Sequence, residues 1–180
     1  MFATSSPAVQ RPAVSKPEHY RELGVQLRSL LAGERDWVAN AANCAALLFA
    51  LLPELNWAGF YVLRESGGSG GVSELVLGPF QGNPACVRIP VAPEPKGVCG
   101  TAASRRTTLL VADVHDFPGH IACDSASNSE LVLPLAKDGR LWGVLDLDSP
   151  RIGRFDAEDA RGLEALAKVF LDMTDLPAAH

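Results

Sequence analysis

Two strand-like segments joined by a turn constrain the fold of this chain more than any other feature. Residues 130–135 and 141–147 are rich in leucine and valine, and Lys137-Asp138-Gly139-Arg140 lies between them. An Asp-Gly pair between two such segments is typical of a β-hairpin, so the two strands should be antiparallel neighbours. The long helical patterns lie near the ends of the chain, apart from the hairpin-joined strands, which favours an α+β fold around an antiparallel sheet.

Three segments have the residue pattern of long helices. Residues 18–31 carry apolar side chains at helical spacing. Asp36 can cap a second helix that runs to about residue 52, and Asp156 can cap a last helix that runs to about residue 173. Cys44 lies inside the apolar second helix, where a cysteine usually fills a core.

Four further strands and one short helix complete the predicted domain. The strands are expected at residues 56–63, 73–77, 85–90 and 107–111, with a glycine-rich connection at 67–71. The short helix is expected at residues 97–105, with Cys99 near its start, and Cys86 falls on the strand at 85–90. We therefore predict an α+β domain over residues 18–176, with an antiparallel sheet of about six strands and flanking helices. Residues 1–17, rich in Ala, Ser and Pro, are predicted to form a disordered tail.

Charge and composition exclude several classes of function. The 180 residues carry a net charge of −5, and no cluster of Lys and Arg offers the cations that nucleic acid requires. No apolar stretch approaches the roughly 20 residues of a membrane span, and no secretory leader is recognised. The four cysteines are irregularly spaced, which favours thiols of a reducing, cytoplasmic compartment over a disulfide-stapled secreted fold.

One cysteine stands in an unusual setting. Cys123 lies among small and polar residues within the segment 115–130, behind a Pro-Gly turn signal. Such a setting is typical of an accessible loop thiol with a chemical role. A Cys3His zinc site from Cys86, Cys99, Cys123 and either His115 or His120 is the alternative. Its spacing matches no common zinc signature, so we predict no metal and treat both histidines as ordinary loop residues.

Acidic and aromatic side chains are predicted to share faces of the sheet. Asp146 and Asp148 alternate with leucines and therefore point to the same face, and hairpin pairing brings Glu130 close to both. The three carboxylates either line a cleft or form a solvated sheet face. Trp57 and Tyr61, separated by Gly59, likewise share a face and form either core or an aromatic wall around a ligand.

Five motifs in order resemble the free methionine-(R)-sulfoxide reductases, which are single GAF-domain enzymes. The motifs are Asn56-Trp57-Ala58-Gly59-Phe60-Tyr61, Gly78-Pro79-Phe80-Gln81-Gly82, Gly97-Val98-Cys99-Gly100-Thr101-Ala102-Ala103, the segment 115–130, and Gly143-Val144-Leu145-Asp146-Leu147-Asp148-Ser149-Pro150. The resemblance extends from about residue 18 to the last helix. It departs from the family at residues 91–96, a Pro-containing link that is longer than usual.

The resemblance implies a complete set of roles. Cys123 would be the nucleophile, Cys86 the main resolving cysteine and Cys99 a further redox cysteine. The substrate-binding residues would be Trp57, Tyr61, Glu130, Asp146 and Asp148. The implied activity is reduction of free methionine-R-sulfoxide through a sulfenic acid and an intramolecular disulfide that thioredoxin recycles, without a cofactor and in a homodimer. The alternative is a GAF sensory module that binds a small molecule without catalysis.

Overall fold

The structure is a computed structural model that describes residues 15–65, 72–119 and 126–176. Cys123, His120 and the predicted glycine-rich connection at 67–71 lie outside the described residues, as does nearly all of the predicted tail. No helix in the described part of the chain is long and apolar enough to cross a membrane.

A six-stranded antiparallel sheet in the order β3-β2-β1-β6-β5-β4 forms the centre of the fold. This confirms the predicted α+β class and the predicted hairpin, whose strands pair from Ser129↔Ser149 to Lys137↔Arg140. The strands are β1 (Trp57–Glu65), β2 (Ser73–Gly82), β3 (Arg88–Ala92), β4 (Leu109–Val111), β5 (Ser129–Lys137) and β6 (Arg140–Ser149).

Among the described residues, four α-helices flank the sheet, three of them on one side. These three are α1 (Lys16–Leu30), α2 (Trp37–Leu51) and α4 (Ala157–Met173). Helix α2 packs on β1 and β2, α4 packs on β5, and α1 packs on α4, so that Leu23, Leu48 and Phe170 share one core with Phe60 and Leu145. The predicted caps are present, because the Asp36 side chain accepts from the Ala39 N–H at 2.9 Å and Asp156 forms a capping box with Asp159. Cys44 is a free, buried thiol in this layer, as predicted.

The opposite face of the sheet carries α3 (Gly97–Arg105) over a smaller core. This core includes Trp57, Tyr61, Val132 and Val144 from the sheet and Cys99 and Ala102 from α3. Side chains of directly paired residues in adjacent strands point to the same face. The face under α3 is therefore the one that presents the predicted acidic and aromatic residues.

Two predicted strands are displaced or shortened. Cys86 precedes β3 instead of lying on it. The Leu77 N–H still donates to the Val87 carbonyl, and the next hydrogen-bonded pair in this register would be Pro79 and Ala85, but proline has no N–H to extend the ladder. Strand β4 starts at Leu109 rather than 107, because Arg106 adopts a left-handed conformation that ends α3 and the Thr107 N–H bonds back to the Ala102 carbonyl.

Candidate active site

Three carboxylates meet on the α3 face of the sheet. Glu130 on β5 pairs directly with Asp148 on β6, and Asp146 lies two residues along the same strand. Glu130 and Asp146 are buried, with 7% and 5% of their surface exposed, and Asp148 is half-buried. Because two of the three acids are buried, this face is not the solvated surface that was the alternative prediction. Opposed like charges destabilise a strand pair, so the arrangement lowers the stability of the fold and points to a functional role.

Cys99 completes a compact buried group with two of these acids. Its thiol donates a hydrogen bond to Glu130 Oε1 over 3.7 Å, and one ligand-type atom from each of Cys99, Glu130 and Asp146 lies within 4.8 Å of the other two. Cys99 belongs to the first turn of α3, which packs against β3, β5 and β6. The helix thus delivers the thiol to the acidic strands.

Burial and mutual repulsion keep protons on this group. Burial raises the pKa of Asp146 to about 7, although hydrogen bonds from Cys99, Glu130 and the Leu147 N–H favour its charged form. Burial, followed by the charges of Asp146 and Asp148, raises the pKa of Glu130 well above its ordinary value. Burial and the same acids also raise the pKa of the Cys99 thiol. The cluster thus holds carboxylic acids near neutral pH, and Cys99 is a poor nucleophile there.

An aromatic stack lies beside the acids. Trp57 on β1 pairs with Asp148, and its ring stacks on Tyr61 at a centroid distance of 5.7 Å and on Phe80 at 5.4 Å. Trp57 and Tyr61 are both 2% exposed. Trp57 and Tyr61 are therefore core residues that also border the acidic face, so both functions considered from the sequence, core packing and an aromatic wall, apply to them.

Two polar atoms on this face are buried without a hydrogen-bond partner among the described residues. They are the indole Nε1 of Trp57, a donor, and Oδ1 of Asp146, an acceptor. Leaving such groups unpaired costs roughly 1–3 kcal/mol each. A ligand with both an acceptor and a donor, such as an amino acid, would satisfy both atoms.

Gly59 makes the aromatic stack possible. It pairs with Phe80 on β2 and with Asp146 on β6, and a Cβ at this position would come within 2.5 Å of Trp57 Cη2. We expect Gly59→Ala to lower the free energy of unfolding by about 1–3 kcal/mol because of this overpacking. Urea unfolding measures the loss. Gly24→Ala, in helix α1, is the matched control. A Cβ at Gly24 would meet no atom closer than 3.7 Å, so the free energy of unfolding should be unchanged or increased.

The segment that carries Cys86 is tied to the aromatic stack. The Tyr61 hydroxyl donates a hydrogen bond to the Cys86 carbonyl at 3.1 Å. Cys86 is disulfide-bonded, whereas Cys44 and Cys99 are free thiols. Tyr61 thus links the aromatic stack to the backbone of the segment that carries Cys86.

The described residues on both sides of the Cys123 segment border the site. Gly119 accepts a hydrogen bond from the N–H of Gly97, at the start of α3, and Asn128 donates its N–H to the Ser149 carbonyl at the end of β6. The predicted nucleophile is thus flanked in sequence by residues anchored next to Cys99 and Glu130. His115 lies exposed in a single turn of 3-10 helix, Val114–Asp116, and its ring forms a hydrogen bond with Asp113 at 2.7 Å.

Comparison with known proteins agrees with this geometry. The GAF domain family matches residues 26–170. The free methionine-R-sulfoxide reductase of Escherichia coli is 50% identical over 153 residues, which cover 85% of this chain and 87% of that protein. The chain belongs to the free methionine-R-sulfoxide reductase family of GAF domains.

Solved structures of GAF proteins superpose on most of this family member. The free methionine-R-sulfoxide reductase from Neisseria meningitidis in complex with its substrate has 45% identity and a TM-score of 0.79, and the match covers 93% of this chain and 95% of that chain. A candidate GAF sensor protein from Burkholderia vietnamiensis has 56% identity and a TM-score of 0.79, with 89% and 96% covered.

The structure brings most of the predicted site residues of this reductase family member together. Glu130, Asp146 and Asp148 share one face with Trp57 and Tyr61, and Cys99 contacts the acids. Sequence reasoning did not assign Phe80 to the site. The signal in the sequence was Gly59 between the two aromatics, which leaves room for a ring from the neighbouring strand. Which residue supplies that ring becomes clear only from the β1–β2 register, which pairs Gly59 with Phe80.

Proposed function

We propose that this chain reduces free methionine-R-sulfoxide to methionine, with Cys123 as the nucleophile. The observation that carries the proposal is the buried group of Glu130, Asp146 and Cys99 beside an aromatic stack, in a chain of this reductase family. The group combines acids that hold protons near neutral pH with an apolar wall suited to the methionine side chain.

The acids would recognise the free amino group of the substrate. In addition to burial, the charges of Asp146 and Asp148 raise the pKa of Glu130, and the charges of all three acids raise the pKa of the Cys99 thiol. A substrate ammonium between the acids would relieve the repulsion between these negative charges. Its charge would also favour the Cys123 thiolate, which nearby carboxylates otherwise disfavour. A residue within a protein lacks this charge, because its nitrogen is an amide.

The reaction would transfer one oxygen atom and two electrons. The Cys123 thiolate attacks the sulfoxide sulfur while a carboxylic acid of the cluster protonates the sulfoxide oxygen. The oxygen passes to Cys123 as a sulfenic acid, and methionine leaves. The Cys86 thiol then condenses with the sulfenic acid, which forms a disulfide and releases water. Thioredoxin, itself oxidised to a disulfide, returns both cysteines to thiols.

An assay with purified protein tests the proposal directly. With thioredoxin, its reductase and NADPH, half of an equal mixture of free L-methionine-R- and S-sulfoxide should be consumed, which leaves the S epimer. A sensory GAF module would bind the compound without consuming it. Consumption of peroxide instead of the sulfoxide would indicate a thiol peroxidase and contradict the proposal.

Acetylation of the substrate nitrogen is expected to weaken the reaction strongly. N-acetylmethionine-R-sulfoxide cannot place a cation between the acids, and a hydrogen bond to a charged group contributes roughly 1.5–3 kcal/mol. We therefore expect kcat/KM to fall about 10- to 100-fold. Steady-state kinetics of the free and acetylated sulfoxides measure the ratio. Equal kcat/KM values would contradict the role of the acids.

Separate substitutions of Cys86 and Cys99 should distinguish the resolving cysteine. Since Cys86 is disulfide-bonded and Cys99 is free, we propose that Cys86 pairs with Cys123. Cys86→Ser should give one equivalent of methionine per chain and then stop, whereas Cys99→Ser should still recycle at a lower rate. Mass mapping of disulfides after oxidation by the sulfoxide checks the pairing. A Cys86→Ser protein that recycles normally with thioredoxin would assign the resolving role to Cys99.

The homodimer implied by the family resemblance remains a prediction. A groove of about 660 Å³ between α1 and α4 includes Val25, which is 63% exposed. Sedimentation of the purified chain determines its oligomeric state.

A further inference from the structure

We propose that Cys99, Glu130 and Asp146 form a binding site for a divalent metal ion that accepts mixed sulfur and oxygen ligands, with Zn²⁺ as the preferred ion. The inference goes beyond the reductase function, because the metal would bind through the same side chains whether or not the chain reduces sulfoxides. It also differs from the Cys3His alternative drawn from the sequence, since that site required Cys86 and Cys123.

The spacing of the three side chains suits a tetrahedral ion. Zinc bonds of about 2.3 Å to sulfur and about 2.1 Å to a carboxylate oxygen place the two ligand atoms about 3.6 Å apart in a tetrahedron. Cys99 Sγ and Glu130 Oε1 are 3.7 Å apart, and the three ligand atoms lie within 4.8 Å of one another. Small side-chain rotations would therefore complete the geometry without moving the strands.

An unpaired acceptor provides an independent argument for a cation. Oδ1 of Asp146 is fully buried and has no hydrogen-bond partner among the described residues, in a side chain that is 5% exposed. A buried acceptor in this state is costly unless a donor or a cation reaches it. A metal ion bound by Cys99, Glu130 and Asp146 would contact the carboxylate to which this atom belongs.

The donor set selects the kind of metal. One thiolate and two carboxylates suit Zn²⁺ better than Mg²⁺ or Ca²⁺, which prefer oxygen ligands alone. Three protein ligands also leave one tetrahedral position for water or an incoming ligand. Because the substrate ammonium is proposed to bind the same acids, metal and substrate should exclude each other.

Titration with Co²⁺, a spectroscopic substitute for Zn²⁺, tests the site. The oxidised full-length protein is the appropriate sample, because its Cys86 is already in a disulfide. We expect one equivalent of Co²⁺ to produce a sulfur-to-cobalt charge-transfer band and intense visible bands of tetrahedral cobalt, and one equivalent of Zn²⁺ to remove them. Absence of both bands in the wild-type protein would overturn the proposal.

Variants assign the ligands. Cys99→Ser should abolish the charge-transfer band. Glu130→Gln and Asp146→Asn should each weaken Co²⁺ binding by about 100-fold, because loss of a residue that only supports a metal ligand already lowers affinity by about 10- to 100-fold. Cys44→Ala, a buried thiol of the other layer, should leave the band unchanged. Asp148→Asn should weaken Co²⁺ binding much less, since Asp148 is not one of the three proposed ligands and the substitution removes only a nearby negative charge. If Cys99→Ser does not fold, the two amide variants still decide the assignment.

Competition separates this inference from the proposed function. Free methionine sulfoxide should displace Co²⁺ from the wild-type protein if both proposals hold. A Cys99-dependent cobalt spectrum that the sulfoxide leaves unchanged would retain the metal site and contradict the substrate role of the acids. A charge-transfer band that persists in Cys99→Ser would overturn the metal site.

Discussion

Cys123→Ser is expected to abolish reduction of free methionine-R-sulfoxide, even in a single turnover. A serine hydroxyl forms no appreciable anion at neutral pH, and its oxygen cannot take up the sulfoxide oxygen as sulfur does. Removal of the nucleophile should lower the rate by at least about 10³-fold. Rapid quenching of excess enzyme with substrate, followed by mass spectrometry of the methionine formed, measures this rate without any reductant.

The control for this experiment is another cysteine of the same chain. Cys44 lies in the helical layer on the opposite face of the sheet, with its pKa raised by burial to about 12. Cys44→Ala should therefore retain a full single turnover. One equivalent of methionine formed by Cys123→Ser would instead assign the nucleophilic role to Cys86 or Cys99.

Asp146→Asn is expected to lower kcat/KM by about 100-fold or more and to change its pH dependence. An asparagine neither donates the acidic proton nor binds an ammonium as strongly, and a general acid alone contributes 10²- to 10⁴-fold. In the wild-type protein, kcat/KM should fall as pH rises through about 7, where Asp146 loses its proton. That decline should disappear in the variant, because the carboxyl that loses its proton in this range is absent.

Assays over pH 5–9 with a chelator present measure both effects and exclude metal from the cluster. Asp138→Asn is a suitable control, because Asp138 is exposed in the hairpin turn at a φ of 53°, which asparagine tolerates. An Asp146→Asn enzyme with wild-type kcat/KM would contradict both roles of this carboxyl.

The same substitution should also reveal what the buried acid costs the fold. Because the folded pKa of Asp146 is about 7 and the ordinary value is 3.8, the unfolded chain loses this proton first as pH rises. The carboxyl's contribution to stability is therefore full below about pH 4 and is lost as pH rises to about 7. Urea unfolding should show a smaller loss of stability over this interval in Asp146→Asn than in the wild-type protein.

Strand alternation and one turn made part of the site predictable. Alternation places Asp146 and Asp148 on one face and the leucines between and before them on the other, and the Asp138-Gly139 turn makes β5 and β6 neighbours. The pairing of Glu130 with Asp148 also requires a one-residue shift of register between Leu135 and Ala136, which the sequence did not reveal. The helices were equally local, since Asp36 and Asp156 cap them as predicted. The family resemblance named the same acids and aromatics from motifs alone.

The remaining features depend on partners that are distant in the chain. The hydrogen bond from Cys99 to Glu130 depends on the packing of α3 on the sheet. The place of Phe80 in the aromatic stack depends on the β1–β2 register. The place of Cys86 before β3 depends on Pro79 in the neighbouring strand.

The sequence by itself therefore determined the elements, their amphipathic faces and the residue types available for chemistry, because these follow from short-range periodicity and turn geometry. Only the tertiary structure decided that the acids are buried, that their pKa values rise and that a thiol lies among them. Burial and mutual repulsion arise when β5, β6 and α3 close over one another, and no segment of the chain carries that information alone.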